Sequence, residues 1–119
     1  MARVNIPVQE LDDRNKFATA AAYTALTTAA DPTDGAEIKW DERDDKYLVF
    51  IHNSGSSAAN VVIKAGNGIQ GVNDLTINLA GGQYTFVSLD SGRFKNVSGD
   101  DKGKVIITGA VKLAVFKLP

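Results

Sequence analysis

Apolar and polar residues alternate with a period close to two from Lys46 to the end of the chain, which is the pattern of β-strands with one buried face. Branched and aromatic residues are dense in these runs, as strands favour. Glycine and small polar residues separate one run from the next and indicate turns. The pattern predicts strands over residues 46–52, 58–65, 74–79, 83–89, 104–108 and 111–118, with a shorter run at 93–95.

Short strands that recur about every ten residues, with turns between them, are typical of all-β domains. We therefore expect a single antiparallel β-sandwich or a jelly-roll-like barrel. The predicted core is built by apolar residues of these strands and their alternates: Val49, Ile51, Val62, Leu75, Ile77, Phe86, Ile106 and Val115.

The segment before Lys46 carries weaker signals. Residues 16–30 are rich in alanine, which favours a helix, but four threonines and the lack of a charged face argue against one. We expect an irregular segment here, followed by a strand near residues 23–28. Residues 31–35 indicate a turn, and residues 36–40 indicate another short strand.

Residues 1–15 show alternating apolar positions and contain Pro7, which removes one backbone donor and so favours an edge strand or an extended arm. Two alternatives stay open: the first edge strand of the sandwich itself, or an arm that adds a strand to a partner's sheet. In both cases residues 16–119 are expected to form the β-sandwich domain. The arm alternative predicts these partner-binding residues: Arg3, Val4, Asn5, Ile6, Pro7 and Val8.

Composition narrows the classes of function. The 119 residues carry 13 basic and 14 acidic side chains, a net charge of −1 without a dense basic run, so binding to nucleic-acid phosphates is not expected. No window approaches about 18 uninterrupted apolar residues, so no membrane span is expected. Cysteine is absent, which excludes disulfides, thiol catalysis and thiolate metal sites, and fits synthesis in a cytosol.

Two motifs suggest chemistry but favour a structural interpretation. Residues 66–71 match G-x-G-x-x-G, yet they lead into a strand pattern where a dinucleotide site requires a helix. We expect a glycine-rich loop in which Asn67 and Gly68 supply positive φ angles. Residues 41–45 form the densest acidic cluster, and their spacing does not fit a calcium loop. A solvated hairpin tip is the prediction there, and a cation site is the alternative.

His52 is the single histidine, so a Ser-His-Asp site would have to use it. It ends an apolar strand just before a turn, which favours a structural role. We therefore predict no catalytic, cofactor-binding or metal-binding residues and no enzymatic activity. Four aromatic residues could stack on sugars: Trp40, Tyr23, Tyr47 and Tyr84. We expect them instead to pack in the core and on the sheets, because the chain has only one Trp, three Tyr and five Phe to fill its core.

A resemblance to a known class of proteins extends the prediction from fold to function. Residues 33–40 (TDGAEIKW) and 45–58 (DKYLVFIHNSGSSA) resemble small virion proteins of tailed bacteriophages. In those proteins a short strand precedes a charged tip, and an aromatic-aliphatic strand then ends in a turn of Asn and small residues. Segments 75–83 and 103–107 and the terminal strand agree, so the likeness covers residues 33–119. The family's usual Asp/Asn-Gly at the charged tip is replaced here by residues 41–45.

The resemblance implies a non-enzymatic virion structural protein without a cofactor, namely a head decoration or auxiliary protein that binds and stabilises the outer capsid. Its implied partners are the major capsid protein or another virion protein, and neighbouring copies of itself in a homo-oligomer. It would be made in the cytoplasm of the host bacterium and become part of the virion. Two alternatives remain: a tail or receptor-binding virion component, and a carbohydrate-binding β-sandwich, which would need two or three aromatic residues on one exposed face.

Overall fold

The computed structural model describes residues 3–10, 27–31, 33–41, 44–69 and 71–118, and the regular structure there is nearly all β. The strands are β1 (Val4–Asn5), β2 (Val8–Glu10), β3 (Thr28–Ala29), β4 (Ala36–Lys39), β5 (Tyr47–His52), β6 (Ala59–Ile63), β7 (Leu75–Leu79), β8 (Tyr84–Val87), β9 (Lys104–Thr108) and β10 (Lys112–Lys117). A 3₁₀ turn covers Asp44–Lys46, and a single-turn helix, α1, covers Ser91–Phe94. In this part of the chain no helix has the length and hydropathy needed to cross a membrane.

The strands form two sheets that pack face to face. Sheet A has the order β1-β4-β9-β6-β7. Sheet B has the order β2-β10-β5-β8, and β3 also pairs with β10. The ladders of β1 with β4 and of β2 with β10 are parallel, and the other ladders between these strands are antiparallel. The prediction of an all-β fold is confirmed, and two packed sheets of this kind form a β-sandwich.

The core lies between the two sheets, because each strand turns alternate side chains inward. In β5, Tyr47, Val49 and Ile51 are buried, whereas the residues between them are half-buried on the outer face. The largest fully buried apolar side chains are Trp40, Ile6, Ile38, Ile51, Ile63, Ile107, Leu113, Val49, Val61, Val105 and Val115. Each aliphatic side chain buried in this way contributes about 1.5–3 kcal/mol to folding.

The predicted core is confirmed in part. The residues that are buried or pack against the core as predicted are Val49, Ile51, Val115, Leu75 and Ile77. The predictions for Val62, Ile106 and Phe86 are wrong: the two aliphatic residues are half-buried on outer faces, and Phe86 is exposed. In β6 and β9 the residues on the other face are the buried ones. The outer faces of β6 and β9 each carry one branched aliphatic residue, Val62 or Ile106, among polar residues, and the prediction assigned that residue to the core.

Residues 3–10 join the two sheets. β1 pairs in sheet A, and β2 pairs in sheet B. Between them Ile6 is 1% exposed, and its N–H donates to the Glu37 carbonyl at 3.0 Å. The edge-strand alternative thus describes residues 3–10. The division predicted at residues 15 and 16, and most of the strand predicted at 23–28, lie outside the described residues; β3 begins at Thr28.

Two connections between the sheets differ from their predictions. Residues 41–45 are not a hairpin tip, because β4 before them belongs to sheet A and β5 after them belongs to sheet B. Residues 91–94 form α1, where a turn and a short strand were predicted. The Asp90 carboxylate caps this helix by accepting a hydrogen bond from the Gly92 N–H at 2.8 Å. α1 then leads the chain from sheet B back to sheet A.

The glycine-rich segment at residues 66–71 leads into β7, and no helix begins in its described part. The expectation that Gly68 supplies a positive φ is wrong. Close approach of the main chain requires glycine at the two ends of the motif. A Cβ on Gly66 would lie 2.3 Å from the Lys95 carbonyl oxygen, and a Cβ on Gly71 would lie 1.9 Å from the Gly66 carbonyl oxygen. The motif therefore has a structural cause in the packing of this loop.

Candidate interaction surface

The outer face of sheet B carries a cluster of aromatic residues on β5 and the edge strand β8. Phe50 lies opposite Phe86, and His52 lies opposite Tyr84. Tyr84 is 63% exposed and Phe86 is 53% exposed, whereas Phe50 and His52 are half-buried beside them. We call these four residues the aromatic face.

The rings of the aromatic face contact one another. The centroid of Phe50 lies 5.2 Å from that of Phe86 and 5.6 Å from that of Tyr84. The His52 ring lies 6.2 Å from Phe50 and 5.9 Å from Tyr84. These tilted and edge-on arrangements are the ones that aromatic pairs prefer. Cross-strand contacts of this kind stabilise the ladder, so the rings are held in place on a rigid sheet while two of them face solvent.

Sequence reasoning found only part of this surface. Of the residues considered for sugar stacking, Tyr84 is exposed, but Trp40 and Tyr47 are buried in the core with ring centroids 4.2 Å apart. Tyr23 lies outside the described residues. Phe86 was expected in the core, although the alternation along its strand places it on the same face as Tyr84. That alternation shows that the two rings share a face, but not that this face is exposed.

A buried asparagine organises the end of the sandwich next to Tyr84. Asn53 follows β5 and is 2% exposed. Its Nδ2 donates to the carbonyls of Ser57 at 2.7 Å and Leu79 at 3.0 Å, and its Oδ1 accepts from the Gly55 N–H at 3.1 Å. Its own N–H and carbonyl bond to the turn that precedes β8. One side chain therefore connects the ends of β5 and β7, and its main chain fixes the start of β8.

The described carboxylates of the acidic cluster at residues 41–45 make structural hydrogen bonds. Asp41 accepts from the Tyr47 hydroxyl at 2.7 Å, and this bond lowers the pKa of Asp41 although desolvation opposes it. Desolvation also acts to raise the pKa of Asp44, but hydrogen bonds from the Ser91 N–H and from Trp40 Nε1, both 3.1 Å long, outweigh it and the pKa is lowered. Within the described ranges, no three metal-ligating side chains converge.

The predicted partner-binding residues, Arg3 to Val8, lie together along the edges of both sheets. Ile6 is in the core, Val4 and Val8 are half-buried, and Asn5 and Pro7 are exposed. A cleft at this edge is lined by Asn5, Ile6, Pro7, Val8, Lys39, Asp41 and Lys117. Binding of a partner by residues 3–8 stays a prediction. Because β1 and β2 already pair with β4 and β10, a partner could contact only the exposed side of these two strands.

Arg3 begins a charged network that connects β1 to its neighbours in sheet A. Its guanidinium pairs with Glu37, with Nε 3.4 Å from Oε1, and also with Asp101. Lys104 Nζ lies 2.8 Å from the other carboxylate oxygen of Glu37. The hydrogen bond from Lys104 lowers the pKa of Glu37 below its ordinary value of 4.5; burial opposes this shift, and the charge of Arg3 adds to it. The network therefore favours the ionised form of Glu37 in the folded protein.

Glu37→Gln should lower the free energy of unfolding by about 0.5–1.5 kcal/mol at neutral pH, because it removes the charge from these ion pairs. The pKa of Glu37 is lower in the folded than in the unfolded chain. The stabilisation that ionised Glu37 provides is therefore complete at pH values above its ordinary pKa of 4.5. It is lost as the pH falls through the lowered pKa of the folded state. Denaturant unfolding at several pH values should show that the difference between wild type and variant shrinks in acid. Asp100→Asn, at an exposed carboxylate, is the control. A difference that is the same at neutral and acid pH contradicts the prediction.

A second exposed apolar patch lies on two loops. Ile69 is fully exposed, Val72 is 77% exposed and Val97 is 54% exposed. Asn67 joins the loops, because its Nδ2 donates to the Ser98 carbonyl at 2.9 Å and its Oδ1 accepts from the Val97 N–H at 2.7 Å. We call Ile69, Val72 and Val97 the loop patch. It consists of aliphatic side chains on loops, in contrast to the aromatic side chains held on strands in the aromatic face.

Comparison of the chain with protein-family models, with curated proteins and with solved structures finds no match. The choice of function therefore depends on the chemistry of these surfaces. Both surfaces expose large apolar side chains, and such surfaces are suited to contact with another macromolecule.

Proposed function

We propose that this chain is a non-enzymatic structural protein of a tailed-bacteriophage virion, a head decoration or auxiliary protein that binds and stabilises the outer capsid through the aromatic face. The observation that carries the proposal is the pair of exposed rings, Tyr84 and Phe86, on a rigid sheet. The resemblance of residues 33–119 to small virion proteins gives the class of partner. The major capsid protein is the partner that we propose.

The physical case depends on what aromatic side chains do at protein interfaces. Tyr and Phe are enriched in the buried centres of interfaces, and the residues with the largest effects on affinity cluster there. Tyr84 and Phe86 would lose exposed apolar surface on binding, and their contacts with Phe50 already restrict their rotation. A capsid repeats the same site many times, so a modest affinity at each site is sufficient when neighbouring copies also contact each other.

The test begins with virions of the phage that encodes the chain. Mass spectrometry of purified particles should find the chain, and electron cryomicroscopy should place it on the head. Capsids that lack the chain should then bind the purified protein saturably. Tyr84→Ser combined with Phe86→Ser should weaken this binding at least about thirtyfold, the effect expected from loss of a central aromatic contact. Ile69→Ser, a similar change in the loop patch, is the matched control and should bind like wild type.

Each other outcome contradicts a defined part of the proposal. Absence of the chain from virions contradicts the virion function, and a location on the tail contradicts the head function. If Ile69→Ser loses binding while the double variant keeps it, the capsid-binding surface is the loop patch and not the aromatic face. A melting temperature measured for each variant separates loss of binding from loss of folding.

One observation favours a second function, a carbohydrate-binding β-sandwich. That function requires two or three aromatic residues on one exposed face, and Tyr84 and Phe86 with Phe50 beside them meet the requirement. Sugar rings can stack on such side chains. Binding of the purified chain to host cell-surface polysaccharide, lost in the same double variant and unaccompanied by capsid binding, would support this function over the first.

A further inference from the structure

We infer that β8 pairs edge to edge with β8 of a second copy of this chain. The two strands run antiparallel and are related by a two-fold axis. β8 is the last strand in the order of sheet B, and among the described strands it pairs with β5 alone. An edge strand presents N–H and C=O groups that a strand of another chain can use. The inference does not depend on the proposed virion function.

The ladder identifies the main-chain groups of β8 that face the open edge. The Asn53 N–H donates to the Gln83 carbonyl at 2.9 Å, so this pair is hydrogen-bonded. Hydrogen-bonded pairs alternate with non-hydrogen-bonded pairs in an antiparallel ladder. Along the register, Tyr84 and Phe86 therefore direct their N–H and C=O groups away from β5. The Phe86 carbonyl receives a long hydrogen bond of 3.5 Å from the Thr85 hydroxyl, which leaves room for a second donor.

β8 lacks the features that protect natural edge strands from pairing. No proline and no charged residue occurs between Leu79 and Asp90. The edge of sheet A next to it differs, because the Arg93 guanidinium donates to the main-chain carbonyls of Asn73 at 3.1 Å and Asp74 at 3.4 Å, immediately before β7. A charged side chain thus lies at the start of β7, whereas β8 itself contains no charged residue.

One register makes β8 complementary to its own copy. When Thr85 lies opposite Thr85 of the second copy, Tyr84 of each chain lies opposite Phe86 of the other. The outward main-chain groups of these residues then form four hydrogen bonds. Their rings lie on the same face at Cα separations of about 5.5 Å, so the two aromatic faces become continuous. The uncharged edge causes no like-charge repulsion between copies and offers a charged partner no complementary charge. These properties favour a second copy as the occupant.

The expected dimer is weak in free solution. A ladder of four residues buries much less than the roughly 1,200–2,000 Å² of a stable complex. The equilibrium should therefore depend on concentration in the accessible range. Copies held side by side on any common surface would pair more completely, because their effective concentration is high.

Sedimentation velocity over a wide range of concentrations, combined with amide hydrogen exchange followed by NMR, tests the inference. We expect a monomer–dimer equilibrium. In the monomer the amides of Thr85 and Val87 should be protected by β5, whereas those of Tyr84 and Phe86 exchange rapidly. In the dimer the amides of Tyr84 and Phe86 should become protected as well.

Phe86→Pro removes an outward donor that the β5 ladder does not use, and it should abolish the dimer. Phe86→Ala is the matched control, because it removes the same ring but keeps the donor. We expect Phe86→Ala to dimerise about tenfold more weakly than wild type, through loss of the two cross-strand aromatic pairs. Protection of the Thr85 and Val87 amides verifies that each variant is folded.

Three results would overturn the inference: a wild-type chain that is monomeric at every concentration, a dimer in which the Tyr84 and Phe86 amides still exchange rapidly, and a Phe86→Pro variant that dimerises as well as Phe86→Ala. If Phe86→Pro does not fold, Tyr84→Pro compared with Tyr84→Ala applies the same test at the other outward position. The exchange pattern of the wild-type protein also decides the question by itself.

Discussion

Replacing Ile6 by alanine is expected to lower the free energy of unfolding by about 2–5 kcal/mol, the cost of a cavity at a fully buried aliphatic site. Ile6 is 1% exposed and lies between a strand of sheet A and a strand of sheet B. For a domain of this size the melting temperature should fall by about 10–20 °C. Thermal and denaturant unfolding followed by circular dichroism measure both quantities.

Asn5→Ala is the matched control, since Asn5 is the exposed neighbour of Ile6, and it should change stability by no more than about 0.5 kcal/mol. Deletion of residues 1–10 should destabilise more than Ile6→Ala, because it also removes the parallel ladders of β1 and β2. If the deleted chain melts like wild type, the segment is not part of the sandwich. The arm alternative would then be favoured.

Asn53→Asp is expected to lower the free energy of unfolding by about 3–5 kcal/mol at neutral pH. The two side chains have the same shape, but the amide donates to the carbonyls of Ser57 and Leu79 at 2.7 and 3.0 Å. A carboxylate at this position would be buried, would leave both carbonyls without these donors and would be repelled by them. Denaturant unfolding at neutral pH measures the loss.

The cost of Asn53→Asp should decrease in acid. Burial raises the pKa of the introduced carboxyl in the folded state above its unfolded value, so the folded variant binds a proton more readily and gains stability relative to wild type as the pH falls. Asn78→Asp is the matched control, because Asn78 is exposed and its Nδ2 bonds at 2.8 Å only to the side chain of Asn60 within the described residues. Equal effects of the two substitutions would contradict the role assigned to Asn53.

Strand positions from residue 36 onward could be predicted because their signals are local. In β7, Leu75, Ile77 and Leu79 alternate with polar residues between two turn signals, and the strand and its inner face both agree with the structure. α1 was missed because a single turn has no periodicity to detect. Its one sequence signal is Asp90 as a capping residue, and aspartate is equally common in turns.

The aromatic face could not be predicted from local sequence patterns alone. The alternation in β8 placed Tyr84 and Phe86 on one face, but it did not reveal that this face points to solvent. The outcome depends on β5, whose opposite face already fills the core with Val49 and Ile51. In β8, Tyr84 and Phe86 lie opposite His52 and Phe50, which are on the outer face of β5. Because β8 is paired with β5, these two side chains also lie on the outer face, although they are hydrophobic.

Asn53 illustrates the same limit for a polar residue. A turn of Asn and small residues after β5 is evident in the sequence. Burial of its amide depends on the Leu79 carbonyl, which is 26 residues away along the chain. A hydrogen bond between such distant positions leaves no periodic signal in either segment.

The amino-acid sequence was enough to predict an all-β domain and the positions of most of its strands, and it excludes a thiol because it contains no cysteine. These properties follow from composition and from the period-two alternation, which each segment carries independently of the others. Two further properties depend on contacts between distant segments: residues 3–10 are edge strands of both sheets, and Phe86 is exposed next to Tyr84. The physical reason is that inside and outside are defined by the packing of one sheet against the other, and that packing brings together residues far apart in the chain.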